Sequence, residues 1–343
     1  MKAMLLNALA DLNQVTTPLS PGDLPIPQPG LGEVLLRVAA CGVCHTELDE
    51  IEGRTPPSRF PIVLGHQVVG EVVERGKSAE RLAPGTRVGV AWIFSACGSC
   101  EFCLSGRENL CADFKATGRD ANGGYAEYMV VPEAFAHPLP VELSDVHAAP
   151  LLCAGAVGYR SVRLADLHPG AALGLTGFGA SAHLVLKMVR FRWPDVRIYV
   201  FARNPQEREF ARELGAAWAG ETREHPPEPL DAIIDTPPAW LPVVEALERL
   251  KPGGRLVINA IRKEQRDQSS LMDLDYSRHL WMEKEIQSVA NVTRADVREF
   301  LDLCAQARIT PEVTLYPLGE ANQALLEMKR QTIRGAKVLA MNI

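Results

Sequence analysis

AALGLTGFGASAHLVLKMVRFRW, residues 171–193, carries the punctuation that decides how this chain folds. An apolar run, ALGLT, stops at Gly177. A glycine-rich turn follows, and then apolar residues spaced for one face of a helix. Strand, turn and helix in that order open a βαβ unit. Within the turn, Gly177-x-Gly179-x-x-Ala182 keeps the G-x-G-x-x-A spacing. The first glycine permits the tight turn, the second lets backbone approach a pyrophosphate, and a small third residue lets helix and strand pack closely. Alone the spacing is a weak signal; between a strand and a helix it points to a dinucleotide.

Working outward, the alternation continues. RIYVFA (197–202), LDAIIDT (230–236) and RLVINA (255–260) read as strands, with a last one near IQSVANV (286–292). PQEREFARELGA (205–216) and WLPVVEALERL (240–250) read as helices, and KPGG as a turn. Such alternation predicts a parallel sheet with helices on both faces. The end of the second strand bears on which dinucleotide is held. An NAD site places Asp or Glu there, roughly 20 residues past the last small residue, to bind the ribose hydroxyls. Here that position is Ala202, and Arg203 follows. A missing carboxylate and an added guanidinium favour a 2′-phosphate, so NADP is the expected cofactor, with NAD or dual use open.

The flanks differ. From Val34 to about Val131, short β-type runs (VLLRVAA, PIVLGHQVVGEVV, TRVGVAW, YAEYMVV) are broken by Gly and Pro, as in a small Greek-key or barrel-like domain. Near the other end RADVREFLDLCAQARI reads as a helix and GAKVLAMNI as a strand returning to that first domain. The chain has 343 residues, enough for two domains, and is 47% hydrophobic and 23% charged, ordinary values for a globular enzyme. A net charge of −6 with no basic run speaks against nucleic acid or an anionic membrane as the main partner. No signal peptide and no membrane-length apolar run is read, so a cytoplasmic protein is expected.

Half of the eight cysteines fall within CGSCEFCLSGRENLC, residues 97–111. Cys97, Cys100 and Cys103 follow at three-residue steps and Cys111 eight later, with Gly98 and Gly106 giving turn freedom. Four thiolates satisfy tetrahedral zinc and leave no open position, so such a site is structural. An iron–sulfur cluster takes the same ligands, and disulfides suit small secreted chains instead. Three further candidates stand far apart: Cys44 in CGVCHTEL, His66 in PIVLGHQVVGEV and Cys153 in APLLCAGAVGY. Each alone is weak, since a lone His beside Gly is more often a core or turn residue.

Taken in order, C-G-V-C-H-T, then G-H, then the four-cysteine loop, then L-C-A-G, then the dinucleotide turn, the whole chain resembles the zinc-dependent alcohol dehydrogenases of the medium-chain dehydrogenase/reductase superfamily. The resemblance implies a mixed α/β fold: a GroES-like β-rich catalytic domain plus a doubly wound Rossmann cofactor domain. The expected segments are 1–154 and 293–343 for the catalytic domain and 155–292 for the cofactor domain. It implies Cys44, His66 and Cys153 as ligands of a catalytic zinc that keeps a fourth position for water or substrate. Such a zinc would acidify an alcohol or polarise a carbonyl. By the same resemblance Thr46 accepts the substrate proton, His45 contacts the cofactor pyrophosphate or is a solvated loop residue, and Trp92 lines the substrate pocket or packs in the core. Cys41 and Cys304 are left as buried bystanders.

Four departures from the family pattern stand out. Gln67 replaces a Glu that lies close to the metal in relatives, removing a charge. Glu47 replaces Asp as the partner of His66, so the hydrogen bond must span a longer side chain. Asp49 replaces the His on which many relatives end the proton relay, and a carboxylate is a poor match to neutral pH. Thr55 replaces a pocket Trp, which suggests room for longer or aromatic substrates. The expected activity is interconversion of primary or secondary alcohols with aldehydes or ketones through NADP(H) or NAD(H), with two zinc ions per subunit. The partners expected are a small alcohol or aldehyde, and other copies of the chain in a homodimer or homotetramer. A zinc-independent quinone or enone reductase of the same superfamily and a non-catalytic zinc-binding protein are the alternatives.

Overall fold

The computed structural model describes residues 1–330 and 335–341. The chain divides into two compact units, Met1–Ala156 with Val292–Ile343, and Val157–Asn291.

The first unit is built around one long strand, Glu33–Val43, whose residues are buried at most positions. Along one edge it pairs antiparallel with Val68–Arg75, with register shifts between Leu35 and Leu36 and between Val38 and Ala40. Such bulges bend a strand and increase its twist. Its other edge is therefore shared: Glu33 to Arg37 pair with Tyr128–Pro132, and Ala40 to Val43 pair with Ala336–Ala340. The tail strand returns to this unit, as its composition suggested; residues 342 and 343 of that stretch lie outside the described residues. Further strands, Arg87–Val90, Ala136–Pro138 and Val313–Pro317, complete a seven-stranded sheet. The helix Arg294–Ala307 is held at its start by a capping box, in which Thr293 and Asp296 exchange side-chain and backbone hydrogen bonds. It buries Phe300 beside Gly155, where an added Cβ would lie 2.2 Å from the Phe300 ring.

The second unit is a six-stranded sheet, parallel throughout, in the order Trp218–Gly220, Arg197–Phe201, Ala172–Thr176, Leu230–Asp235, Leu250–Ile258, Glu285–Ser288. Numbered along the unit this order is 3-2-1-4-5-6, the doubly wound arrangement whose order reverses beside the first strand. That strand is buried at all five positions, which explains its unbroken apolar run. The helices Ala180–Arg192, Pro205–Glu213 and Leu241–Arg249 cross between strands.

Some details differ from the sequence reading. KPGG lies inside the strand Leu250–Ile258, at a register shift, because it bulges without ending the pairing. Trp218–Gly220, only three residues long, offers too little pattern to be read as a strand. The helix His45–Ile51 lacks apolar periodicity, because its buried run from Glu47 to Ile51 mixes three acidic residues with Leu48 and Ile51. No helix among the described residues is long and apolar enough to cross a membrane.

Thr293→Ala removes one half of the capping box. It is expected to cost about 1–2 kcal/mol and lower the melting temperature by roughly 2–4 °C, read by calorimetry.

Candidate metal centres and dinucleotide turn

Cys44 ends the long central strand and caps the helix His45–Ile51, its Sγ accepting the Thr46 N–H at 3.3 Å. Three residues on, Glu47 turns back. Its Oε2 accepts the Cys44 N–H at 2.8 Å, and its Oε1 lies 2.6 Å from His66 Nδ1. The longer side chain spans the gap that Asp would, with both groups fully buried. His66 follows Gly65, whose φ of +96° and closeness to Tyr125 and Cys41 leave no space for a Cβ. Cys153 sits on a π-helical turn, Leu151–Gly155, a rare shape often found at functional sites.

Sγ of Cys44, Nε2 of His66 and Sγ of Cys153 lie within 4.8 Å of one another. Cys44 Sγ and His66 Nε2 are 3.7 Å apart. Ligands about 2.3 and 2.0 Å from one tetrahedral zinc stand about 3.6 Å apart, so the donors fit that ion. A hydrogen bond with Cys153 and burial push the Cys44 thiol well up. Burial alone would lower His66, but Glu47 and Cys44 outweigh it and raise the imidazole well above its ordinary value. Protons bound this firmly leave when a metal arrives, so metal affinity here falls with falling pH.

The second cluster, Cys97, Cys100, Cys103 and Cys111, also brings four sulfurs within 4.8 Å. Cys97 and Cys103 Sγ atoms are 3.8 Å apart, the edge expected of a tetrahedral zinc–thiolate site, about 3.8 Å. Backbone N–H groups of Ser99 and Cys100 lower Cys97 to about 6, while burial pushes Cys103 up to about 12. Gly98 and Gly106 adopt φ of +76° and +70°, the turn freedom that the loop needs. All eight cysteines are free thiols.

Around the three-donor set, Thr46 Oγ1 donates to Cys44 Sγ at 3.3 Å. Gln67 is buried, with its Oε1 packed where a Cβ on Gly42 would fall. Asp49 is buried and its carboxylate is engaged by the Arg54 guanidinium, which also reaches Glu52 at 2.6 Å. His45 is exposed. Trp92 packs on Phe114 at 5.0 Å with Arg119 over its ring, and its Nε1 and the Thr55 hydroxyl are buried without hydrogen-bond partners among the described residues.

In the second unit Gly177 takes φ +71°, and an added Cβ would meet Thr236 and Pro237 within 3.0 Å. A Cβ on Gly179 would meet nothing, so the space in front of the helix Ala180–Arg192 is open. Ala182 is fully buried. At the end of the second strand Ala202 is buried and Arg203 exposed, and Arg208 donates to both their carbonyls, at 2.8 and 3.0 Å.

Residues 30–141 match the family model of the alcohol dehydrogenase GroES-like domain. The probable alcohol dehydrogenase AdhA of Mycobacterium tuberculosis (strain CDC 1551 / Oshkosh) is 44% identical over 94% of this chain and 93% of its own. The chain belongs to the zinc-type alcohol dehydrogenases of the medium-chain superfamily. Among solved structures, cinnamyl alcohol dehydrogenase SbCAD4 from Sorghum bicolor is similar at 25% identity and TM-score 0.83, covering 99% of this chain and 97% of that one. A chain from Sinorhizobium meliloti 1021 bound to NADP is similar at 25% identity and TM-score 0.85, with 99% of each covered.

Set within this family, the geometry adds residues that the motifs did not announce. Glu50, one turn past Glu47, is fully buried, and neither carboxyl oxygen has a hydrogen-bond partner among the described residues. Burial, and then Glu47, hold its proton well above the usual carboxylate range. Arg54 and Arg208 were legible only as charged residues near a motif.

Glu47→Ala is expected to weaken zinc binding at the three-donor set about 10–100-fold in a chelator competition while the four-cysteine site keeps its metal. Equal loss from both sites would contradict this role.

Proposed function

We propose that this alcohol dehydrogenase interconverts primary or secondary alcohols with aldehydes or ketones using NADP(H), with NAD(H) as the second cofactor. The observation that carries the reading is the three-donor set itself: Cys44, His66 and Cys153 offer a tetrahedral ion three protein ligands and so leave one position for an oxygen. When bound, zinc supplies the Lewis acid that makes an alcohol acidic or a carbonyl electrophilic, and the dinucleotide takes or gives the hydride. Cys97, Cys100, Cys103 and Cys111 would hold a second, structural zinc.

The protein's own groups do the rest. Glu47 holds Nδ1 of His66 so that Nε2 faces the metal. Thr46 is seated by its bond to Cys44 Sγ, and its oxygen keeps lone pairs that can accept the proton of a substrate hydroxyl. Asp49, where relatives carry a relay His, is a carboxylate that can accept a proton; we assign it the outward end of the proton route, held in place by Arg54, which stays charged and passes no proton itself. His45 is exposed and suits a phosphate contact. Gly177, Gly179 and Ala182 would form the pyrophosphate turn, and Arg203, beside Ala202, would meet the 2′-phosphate while Arg208 fixes its backbone.

Thr55 and Trp92 are the pocket residues of this reading. Thr55, in place of a larger Trp, favours long or aromatic substrates, in keeping with a fold relative named for cinnamyl alcohol. A homodimer or homotetramer is part of the proposal. The edge strand Glu285–Ser288 is exposed at all four positions, beside exposed Trp281 and Met282, and offers unpaired backbone to a second copy. A cytoplasmic location fits eight unpaired thiols.

The test is the initial rate with an aldehyde panel, NADPH and NADH side by side, with and without a chelator. Expected are chelator-sensitive turnover, a preference for NADPH, and faster reduction of benzaldehyde or hexanal than of acetaldehyde. Arg203→Ala is expected to raise KM for NADPH by roughly tenfold and leave that for NADH unchanged, since only the 2′-phosphate contact is lost. A rate that ignores the chelator would discard the open zinc, and equal KM changes would discard the role of Arg203.

A further inference from the structure

The carboxyl edge of the parallel sheet holds an ion pair that the family motifs do not contain. Asp235 ends its strand fully buried and accepts the Thr176 hydroxyl at 2.5 Å. Thr176 is the last strand residue before Gly177. The other oxygen of Asp235 is held by the ammonium of Lys263, whose side chain is 8% exposed. Lys263 Nζ also donates to the carbonyls of Pro237 and Ala239, at 2.8 and 3.0 Å. Three donors meet three acceptors, so the ammonium is fully satisfied.

The loop it grips, Thr236 to Trp240, reads TPPAW. Two successive prolines have no N–H and cannot pair the loop with itself, so its carbonyls need outside donors. The segment after the fifth strand supplies them. Lys263 takes two carbonyls, the Glu264 N–H takes Pro238 O at 2.6 Å, and Asp267 accepts the N–H groups of Trp240 and Leu241 at 2.8 and 2.9 Å. The loops after the fourth and fifth strands thus form one clamped body, and the Thr176–Asp235 bond ties it to the dinucleotide turn.

A doubly wound sheet binds a dinucleotide across the point where strand order reverses, one mononucleotide to each half. Arg203, at the end of the second strand, marks the half that takes the adenosine. The clamped loops belong to the other half. We propose that Lys263 is a positioning residue for the nicotinamide half of the cofactor, holding two loops in the shape that receives it. This rests on the dinucleotide-binding reading given above.

The experiment measures Kd by titration for NADPH and for the fragment 2′,5′-ADP, together with Tm, in the wild type, in Lys263→Met and in the double variant D235N/K263M. The single variant strands a buried carboxylate and is expected to lose stability. The double variant removes both charges, keeps the acceptor for Thr176, and is expected to recover Tm. NADPH binding is expected to be roughly tenfold weaker in both variants, because the loops are no longer preorganised, while 2′,5′-ADP binds within about twofold of the wild type. Recovery of NADPH affinity in the double variant along with Tm, or parallel weakening of both ligands, would overturn the proposal by making Lys263 a purely structural residue. The wild type tests the underlying reading separately: if it binds NADH and not NADPH, the cofactor preference is wrong and the comparison is run with NADH and AMP.

Discussion

The carboxylate of Glu47 is the contact on which the metal centre of the first unit depends. One oxygen meets His66 Nδ1 and the other the N–H of Cys44, so two ligands far apart in sequence share one orienting group. A carboxylate can only accept, so Nδ1 carries a proton, and when a metal displaces the proton on Nε2 that lone pair is left for the ion beside Cys44 and Cys153. A glutamine could not do the same, because its amide offers a single acceptor atom. The short helix His45–Ile51 exists to bring this carboxylate back over Cys44, and it carries Thr46 and Asp49 with it.

What could be read in advance follows from where each structure's information lies. The second unit was legible because its central strands are buried on both faces and read as unbroken apolar runs between turn residues and helical stretches. Gly177, at φ +71°, marks a backbone shape that few other residues tolerate. The four-cysteine loop was legible because its ligands are close together in the chain. Cys44, His66 and Cys153 required the order of motifs along the whole sequence. Their meeting depends on a bulged strand, a glycine at φ +96° and a π-helical turn, none of which has a sequence signature. The grip of Lys263 on a proline-rich loop was invisible because a surface-type residue there is buried only by partners more than twenty positions away.

The two units handle buried charge differently. In the second, Asp235 is neutralised by a lysine and hydrogen-bonded by a threonine, which makes a joint at the sheet edge. In the first, Glu50 sits one turn from Glu47 with no hydrogen-bond partner for either oxygen among the described residues, and the Tyr125 hydroxyl is likewise unpartnered there. Burying such groups costs free energy unless water or a proton relieves it. Glu50 is thus a second buried acidic group beside Glu47 and His66, carried on the same helix as Glu47.

The shared edge of the strand Glu33–Val43 sets a timetable for synthesis. Ala336–Ala340 pairs with Ala40 to Val43, immediately before Cys44, yet it leaves the ribosome after the whole of Val157–Asn291. The middle unit can close while the first still lacks a strand, since domains fold as units in the order that they emerge. The backbone supporting Cys44 is completed only by the late strand. The strand that flanks Cys44 is therefore completed last, whereas the four cysteines of the loop span fifteen consecutive residues and are together early on the nascent chain.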